Sequence, residues 1–488
     1  MDLTQIAVFC FGALAYNFIL PARFRQWGLM IASILAIYWL QPNLSIPFLD
    51  FALPTITIVI TVMGWYLTRP LASTDDNEKT GISPLSRPDL ITLGIVTAAV
   101  LAVSTTRYLA PELRLTSRPP DIWIVAIVLG MLAIVTWGAI RATGQHSRWL
   151  PIGMLAIILI FIVTKSDGLA TELSRFLRST AGRDTSLASA IDVGWLGFSY
   201  IAFRIIHTLR DRQMSVLPDL DLREYLTYVI FFPSFTAGPI DRAERFIKDF
   251  RALPDIKGID SERIIIGSTR IAVGMFKKFV IADTLAIVAL NATSADQAVS
   301  TPALWILLYG YAFRLFFDFS GYTDIAIGVG MLFGIQLPEN FNRPYLKNNV
   351  QAFWQSWHMS LSNWVRFYIF SPLSRNLLRH KPKPPIWLIM LICHMSTMIV
   401  IGLWHGITIP FFIWGAWHGI GLFTHKMWTD RTRKWYISLK DKPQTKQAWT
   451  IVGTILTFHF VVVGWVWFAL PDINTAFSVF IRLFGISI

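Results

Sequence analysis

Residues 385–425 read PIWLIMLICHMSTMIVIGLWHGITIPFFIWGAWHGIGLFTH, two apolar runs, Pro385–Leu403 and Pro410–His425, joined through Gly402-Leu403-Trp404-His405-Gly406. A second histidine, His418, follows in Trp414-Gly415-Ala416-Trp417-His418-Gly419. An imidazole at membrane depth is costly, so a histidine set between two such runs is a candidate functional group. The flanking glycines let backbone or a substrate chain approach the ring closely. The plainer alternative is a histidine hydrogen-bonded inside a helix bundle, holding neighbours together.

Outward from this hairpin the same pattern recurs along the whole chain. Apolar runs of roughly the 17–25 residues that cross a bilayer, or somewhat fewer, punctuate the sequence. They are Ile6–Leu20, Trp27–Leu40, Phe51–Leu67, Leu90–Leu109, Ile122–Ile140 and Leu150–Val163, then Ile264–Leu290, Pro302–Phe317 and Trp449–Leu470. Of the 488 residues, 54% are hydrophobic and 15% charged, against about a quarter charged in soluble domains. The expected fold is all-α: a polytopic membrane protein of about 11–13 transmembrane helices, some tilted or broken, with re-entrant or interfacial helices besides. Asp2 stands where a cleaved signal carries basic residues, so the first run is expected to be a transmembrane helix.

The net charge of +13 would suggest nucleic acid in a soluble protein. Here the basic residues gather in two segments between apolar runs, and no aromatic–basic interleaving of the single-strand-binding type accompanies them. One holds Arg375, Arg379, Lys381 and Lys383, the other Arg431, Arg433, Lys434, Lys440, Lys442 and Lys446. The positive-inside rule puts both in the cytoplasm beside anionic lipid headgroups, in the cell (inner or plasma) membrane. No nucleic-acid partner is expected. Cys10 and Cys393, in separate apolar runs, form no disulfide framework or thiolate metal site.

Three polar stretches interrupt the chain. Thr68–Pro88 is a loop by composition, Pro239–Glu262 a charged surface helix with a turn, and Thr429–Gln447 a basic loop. None separates independent domains. The expectation is one membrane domain over 1–488, with hydrophobic helices to 185, a chemistry-bearing core over 186–430, and the basic loop and C-terminal helices over 431–488.

Within that core, Val350–Leu373 mixes Gln351, Gln355, His358, Ser360, Ser362, Asn363 and Arg366 with Trp354, Trp357, Trp364 and Phe367. Too polar to face lipid and too aromatic for a plain loop, it suits a re-entrant or interfacial helix beside a water-accessible cavity. Earlier, Arg314 and Asp318 are four apart in Arg314-Leu315-Phe316-Phe317-Asp318-Phe319-Ser320-Gly321-Tyr322-Thr323-Asp324, placed to neutralise each other on one helix. The turn Leu337–Tyr345, with Glu339 and Arg343, reads as structural. His207, His394, His425 and His459 lack motif context and read as core or interfacial histidines; His146 and His380 sit in loops. No His-Glu-x-x-His or carboxylate–histidine cluster suggests a metal.

In chain order the local patterns are Phe231-Phe232-Pro233 with Ala237-Gly238-Pro239-Ile240, Phe276-Lys277-Lys278 with Ile281-Ala282-Asp283, Asp318-Phe319-Ser320-Gly321-Tyr322-Thr323-Asp324, Trp357-His358-Met359-Ser360-Leu361-Ser362, and Gly402-Leu403-Trp404-His405-Gly406. Over roughly 222–425 this set resembles the membrane-bound O-acyltransferase (MBOAT) family, with the bacterial alginate O-acetyltransferase membrane subunit and the D-alanyl transferase of teichoic-acid modification as the nearest branches. The resemblance makes His405 the signature histidine and His358 its partner. It implies transfer of an acyl group, foremost acetyl, from an acyl-CoA or acyl-carrier-protein thioester to hydroxyls of an extracytoplasmic polysaccharide, directly or through a partner transferase. No cofactor is bound permanently. D-alanyl, lipid or protein O-acyl transfer on the same fold is the alternative. Trp354-Gln355-Ser356-Trp357 departs from the alginate branch, which has two arginines there, and this bears on the substrate rather than the chemistry.

The residue chemistry agrees. A neutral imidazole suits general-base work near neutral pH, and O-acyl transfer needs a hydroxyl deprotonated as it attacks a thioester. His405 is the expected base and His358 the group that orients the donor or its carbonyl. Trp354, Trp357 and Trp404 are expected to line the path, with Ser360, Ser362, Asn363, Asp318 and Asp324 as further substrate contacts. A transporter using Arg314, Asp318, Asp324 and the histidines as an intramembrane polar pathway is the reading from another class.

Overall fold

The computed structural model describes residues 2–70, 85–142, 149–256 and 260–486. Most of the Thr68–Pro88 loop, and His146, lie outside the described residues. Those described are helical with no β-strand, as a bilayer demands of a chain that must satisfy its own backbone. Among them, five helices are long and apolar enough to cross a membrane: Leu49–Leu67, Arg87–Tyr108, Thr301–Leu332, Ile386–His405 and Pro443–Ala469. A sixth span exists if Trp149–Lys165 and Asp167–Thr180, bent by 90°, count as one. Other apolar runs form shorter helices, such as Leu3–Phe18. The protein is a polytopic helical membrane protein.

The chain divides into two compact units, residues 1–267 with 329–337, and residues 268–328 with 338–488. In the first, the Phe-Phe-Pro break is held by a residue the sequence did not single out. Arg204, 1% exposed, sends its guanidinium to the carbonyls of Tyr228 (3.1 Å), Val229 (2.7 Å) and Ser234 (2.9 Å). The Tyr228 and Val229 carbonyls are orphaned where the helix Leu222–Val229 ends, Ser234 closes the short turn Phe232–Ser234 after it, and buried carbonyls need donors. His207 is enclosed with them, its ring 3.2 Å from the Tyr228 hydroxyl, which itself donates to the Asp241 carbonyl at 2.7 Å. The core reading of His207 matches this packing.

The run Ile264–Leu290 is not one α-helix. Ser261–Met275 passes into a π-helical stretch, Phe276–Ala282, before resuming at Asp283. This wide turn carries Lys277 and Lys278 where the chain meets Thr301–Leu332. A Cβ on Gly274 would stand 2.6 Å from the Gly321 carbonyl oxygen, and one on Gly321 would stand 2.7 Å from that of Gly274. The backbones touch because neither residue has a side chain. On one side of this contact Lys277 pairs with Asp324 at 2.6 Å, and on the other Lys278 pairs with Asp318 at 2.5 Å.

The expected Arg314–Asp318 pair does not form. Asp318 is taken by Lys278, and Arg314, exposed, makes no ion pair among the described residues. Helical spacing allowed the first pair, but the packed glycines bring a lysine from another helix closer. The basic stretch from Thr429 is likewise not a loop at its start. The helix Ile409–Ser438 runs on through it, and only Leu439–Asp441 separates it from Pro443–Gly464. Lys426 and Asp430 pair along this extension, while Trp428 and Trp435 pack on Trp449. Ion pairing and indole packing stabilise a helix where charge density alone suggested a loop.

Candidate functional site

The hairpin quoted above is two helices, Ile386–His405 and Ile409–Ser438, with His405 as the last residue of the first. Thr408 caps the second helix and Pro410 lies in its first turn, so only Gly406, Ile407 and Thr408 make the bend. The helices approach through small residues. A Cβ on Gly402 would meet the Phe411 carbonyl oxygen at 2.3 Å, and one on Gly415 the Met398 oxygen at 2.5 Å. Such a seam lets the backbones come together where lipid gives no hydrophobic push. It fixes the direction in which His405 leaves the helix end.

The His405 ring is half-buried in an aromatic sleeve. Its centroid lies 4.6 Å from Trp404, 4.7 Å from Phe468, 5.6 Å from Trp414 and 5.8 Å from Phe411. Three of these contacts are edge-on and the Phe411 ring lies nearly parallel.

Val350–Leu373 is broken into short pieces, Val350–Trp354, Met359–Val365 and a π-helical turn over Arg366–Phe370. His358 stands at the break, 3% exposed, in the left-handed conformation (φ 43°, ψ 54°) that costs a non-glycine residue about 1 kcal/mol or more. Neither of its ring nitrogens has a hydrogen-bond partner among the described residues. Burial pushes its pKa down to about 3, so the ring is neutral. Phe319 lies edge-on to it at 4.8 Å and Trp404 at 6.0 Å. The same Trp404 indole therefore touches both histidines.

The remaining candidates fall into three groups. Trp404 joins the histidines, whereas Trp354 donates its indole N–H to His418 Nδ1 at 3.3 Å. Trp357 packs among Phe341, Tyr345, Phe353 and Trp465. Ser360 is buried and donates its backbone N–H to Asn340 Oδ1 at 3.1 Å, while Ser362 donates its hydroxyl to the Trp357 carbonyl at 3.2 Å. Asn363 is exposed. Asp318 and Asp324 are engaged by Lys278 and by Lys277 with Arg270. Beside Asp324 a cavity of about 340 Å³ is lined by Arg270, Lys277, Ser320, Thr323, Phe341 and Arg343 among others.

One residue escaped the sequence reading. Asn340, 0% exposed, accepts the Met359 N–H at its carbonyl (3.0 Å) and the Ser360 N–H at Oδ1 (3.1 Å). Its turn reads as structural in the sequence, and nothing in the spacing points to residues nineteen and twenty positions away.

An all-helical membrane protein with two histidines packed against one indole is the class that fold and site define. The chain belongs to the membrane-bound O-acyltransferase family, whose model matches residues 150–465. It is similar to a teichoic acid D-alanyltransferase of Streptococcus thermophilus, 33% identical over 286 residues (57% of this chain, 68% of the relative). A probable alginate O-acetylase of Pseudomonas syringae is 31% identical over 373 residues, covering 74% and 67%. A peptidoglycan O-acetyltransferase of Helicobacter pylori is 33% identical over 267 residues, covering 54% of this chain and 47% of the relative. The protein is an O-acyltransferase.

Proposed function

We propose that this enzyme moves an acyl group, foremost acetyl, from a cytoplasmic acyl-CoA or acyl-carrier-protein thioester across the plasma membrane to hydroxyls of an extracytoplasmic glycan. The relatives support this reading by their names: a probable alginate O-acetylase, a peptidoglycan O-acetyltransferase and a teichoic acid D-alanyltransferase. The observation that carries it at the level of chemistry is the shared Trp404 between His405 and His358.

His405 is the general base. It takes the proton of the acceptor hydroxyl as that oxygen attacks the thioester carbonyl, then returns the proton to the departing thiolate as the C–S bond breaks. Ester and free thiol are the products. His358, neutral, uncommitted and desolvated, donates a hydrogen bond to the carbonyl oxygen as negative charge develops there. Trp404 keeps the rings apart and excludes water from between them.

Purified protein supplied with acetyl-CoA and an acetylatable glycan, read by mass spectrometry for ester, tests the proposal. Ester formed by the protein alone supports direct transfer. Ester formed only when a second, extracytoplasmic transferase is added makes the chain a relay. No ester from acetyl, D-alanyl or longer thioesters under either condition, with solute uptake in vesicles, overturns it.

A further inference from the structure

We infer that Asn340 is the positioning residue for His358, taking over the capping of the helix behind it so that the imidazole is left free for the reaction. The inference rests on the role given to His358 above.

The helix Met359–Val365 begins with N–H groups that have no partner within the helix, and the residue at the cap usually supplies one from its own side chain. His358 occupies that cap and makes no side-chain hydrogen bond there. Asn340 does the work from another segment: its carbonyl takes the Met359 N–H and its Oδ1 the Ser360 N–H. Two residues on, the Asn342 N–H donates to the Ser356 carbonyl at 3.0 Å. Three hydrogen bonds from one short stretch thus bracket the left-handed His358 on both sides.

Because Oδ1 must face the Ser360 N–H, the amide has one orientation, and its Nδ2 is left buried with no acceptor among the described residues. A buried donor without a partner is costly. A serine or threonine at 358 would cap the helix locally and spare that cost, but it would place no imidazole at this point. Separating the two tasks leaves both nitrogens of His358 uncommitted.

The test uses the full-length protein in detergent, with diethylpyrocarbonate modification of each histidine followed by mass spectrometry. In the wild type, His358 is modified far more slowly than the half-buried His405. Asn340→Ala should raise the rate at His358 by about tenfold or more, because the turn opens locally. In the glycan acetylation assay it should lower kcat about a hundredfold with the donor KM within about twofold, since a small misplacement is felt at the transition state. Asn340→Asp keeps an acceptor oxygen and should restore protection of His358. Folded Asn340→Ala, with unchanged elution and Tm and with His358 still protected, overturns the inference. Where Asn340→Ala does not fold, Asn340→Asp decides: a protected His358 supports the clamp and an exposed one refutes it. Modification is read without turnover, so an inactive wild type would sink the proposed function and leave this test standing.

Discussion

The rings of His358 and Trp404 stand edge to face with centroids 6.0 Å apart, and His405 lies 4.6 Å from the other end of that contact. Trp404 is therefore a side chain in contact with both histidines. Trp404→Ala should lower kcat by about tenfold to a hundredfold while the protein stays folded, because it removes orientation rather than a reacting group. Steady-state kinetics of the purified variant check this. An unchanged kcat would show that the indole is packing only.

The two histidines should not be equivalent. His405→Ala should reduce transfer by about a thousandfold or more, the upper range for a lost general base, and His358→Ala by about a hundredfold. Single-turnover rates, with folding checked by gel filtration, separate them. Wild-type rates in folded His405→Ala would refute the base assignment.

Acid should act on the fold through His358. Its folded pKa is lowered to about 3 by burial, whereas an unfolded histidine titrates near 6.5. Above about pH 6.5 both states are neutral and the contribution of burial is fully present. As pH falls from there toward about 3, the unfolded chain binds a proton that the folded ring refuses, and stability is lost. Thermal unfolding from about pH 7 to about pH 5 should show a steeper fall for wild type than for His358→Gln, by up to about 2 kcal/mol. Parallel curves would mean that the ring is not sealed from water.

The hairpin should be intolerant of one methyl group. Gly402→Ala puts a Cβ against the Phe411 carbonyl oxygen, where no side chain can yield, and Gly415→Ala does the same at Met398. Each should cost about 1–3 kcal/mol, read as a lower Tm in detergent. Gly12→Ala, which meets nothing within 4 Å, is the control and should be neutral.

Asp318 should couple to Lys278 and not to Arg314. A double-mutant cycle on Lys278 and Asp318 should give about 0.5–1 kcal/mol, a modest figure because the carboxylate is 48% exposed. The Arg314–Asp318 cycle should give nothing measurable. Coupling in the second cycle would restore the pair suggested by helical spacing.

Much was legible in the chain itself. Long apolar runs leave helices as the only structure able to satisfy the backbone in lipid, so the all-α membrane fold follows from composition and run length. The Trp-His-Gly and Trp-His-Met-Ser stretches singled out His405 and His358 because titratable groups among aromatics are rare and costly. Local sequence also set where helices end, as at Thr408 and Pro410. Its limits are those of sequence neighbours. Spacing alone paired Arg314 with Asp318, whereas the glycine contact between Gly274 and Gly321 delivered Lys278 instead. Asn340 at the Met359 turn, Arg204 on the carbonyls of Tyr228 and Val229, and Trp404 between two imidazoles are all contacts made across separate segments. Such contacts depend on which backbones pack closely enough to touch. Periodicity along one helix carries no record of that distance, so the tertiary structure alone decided it.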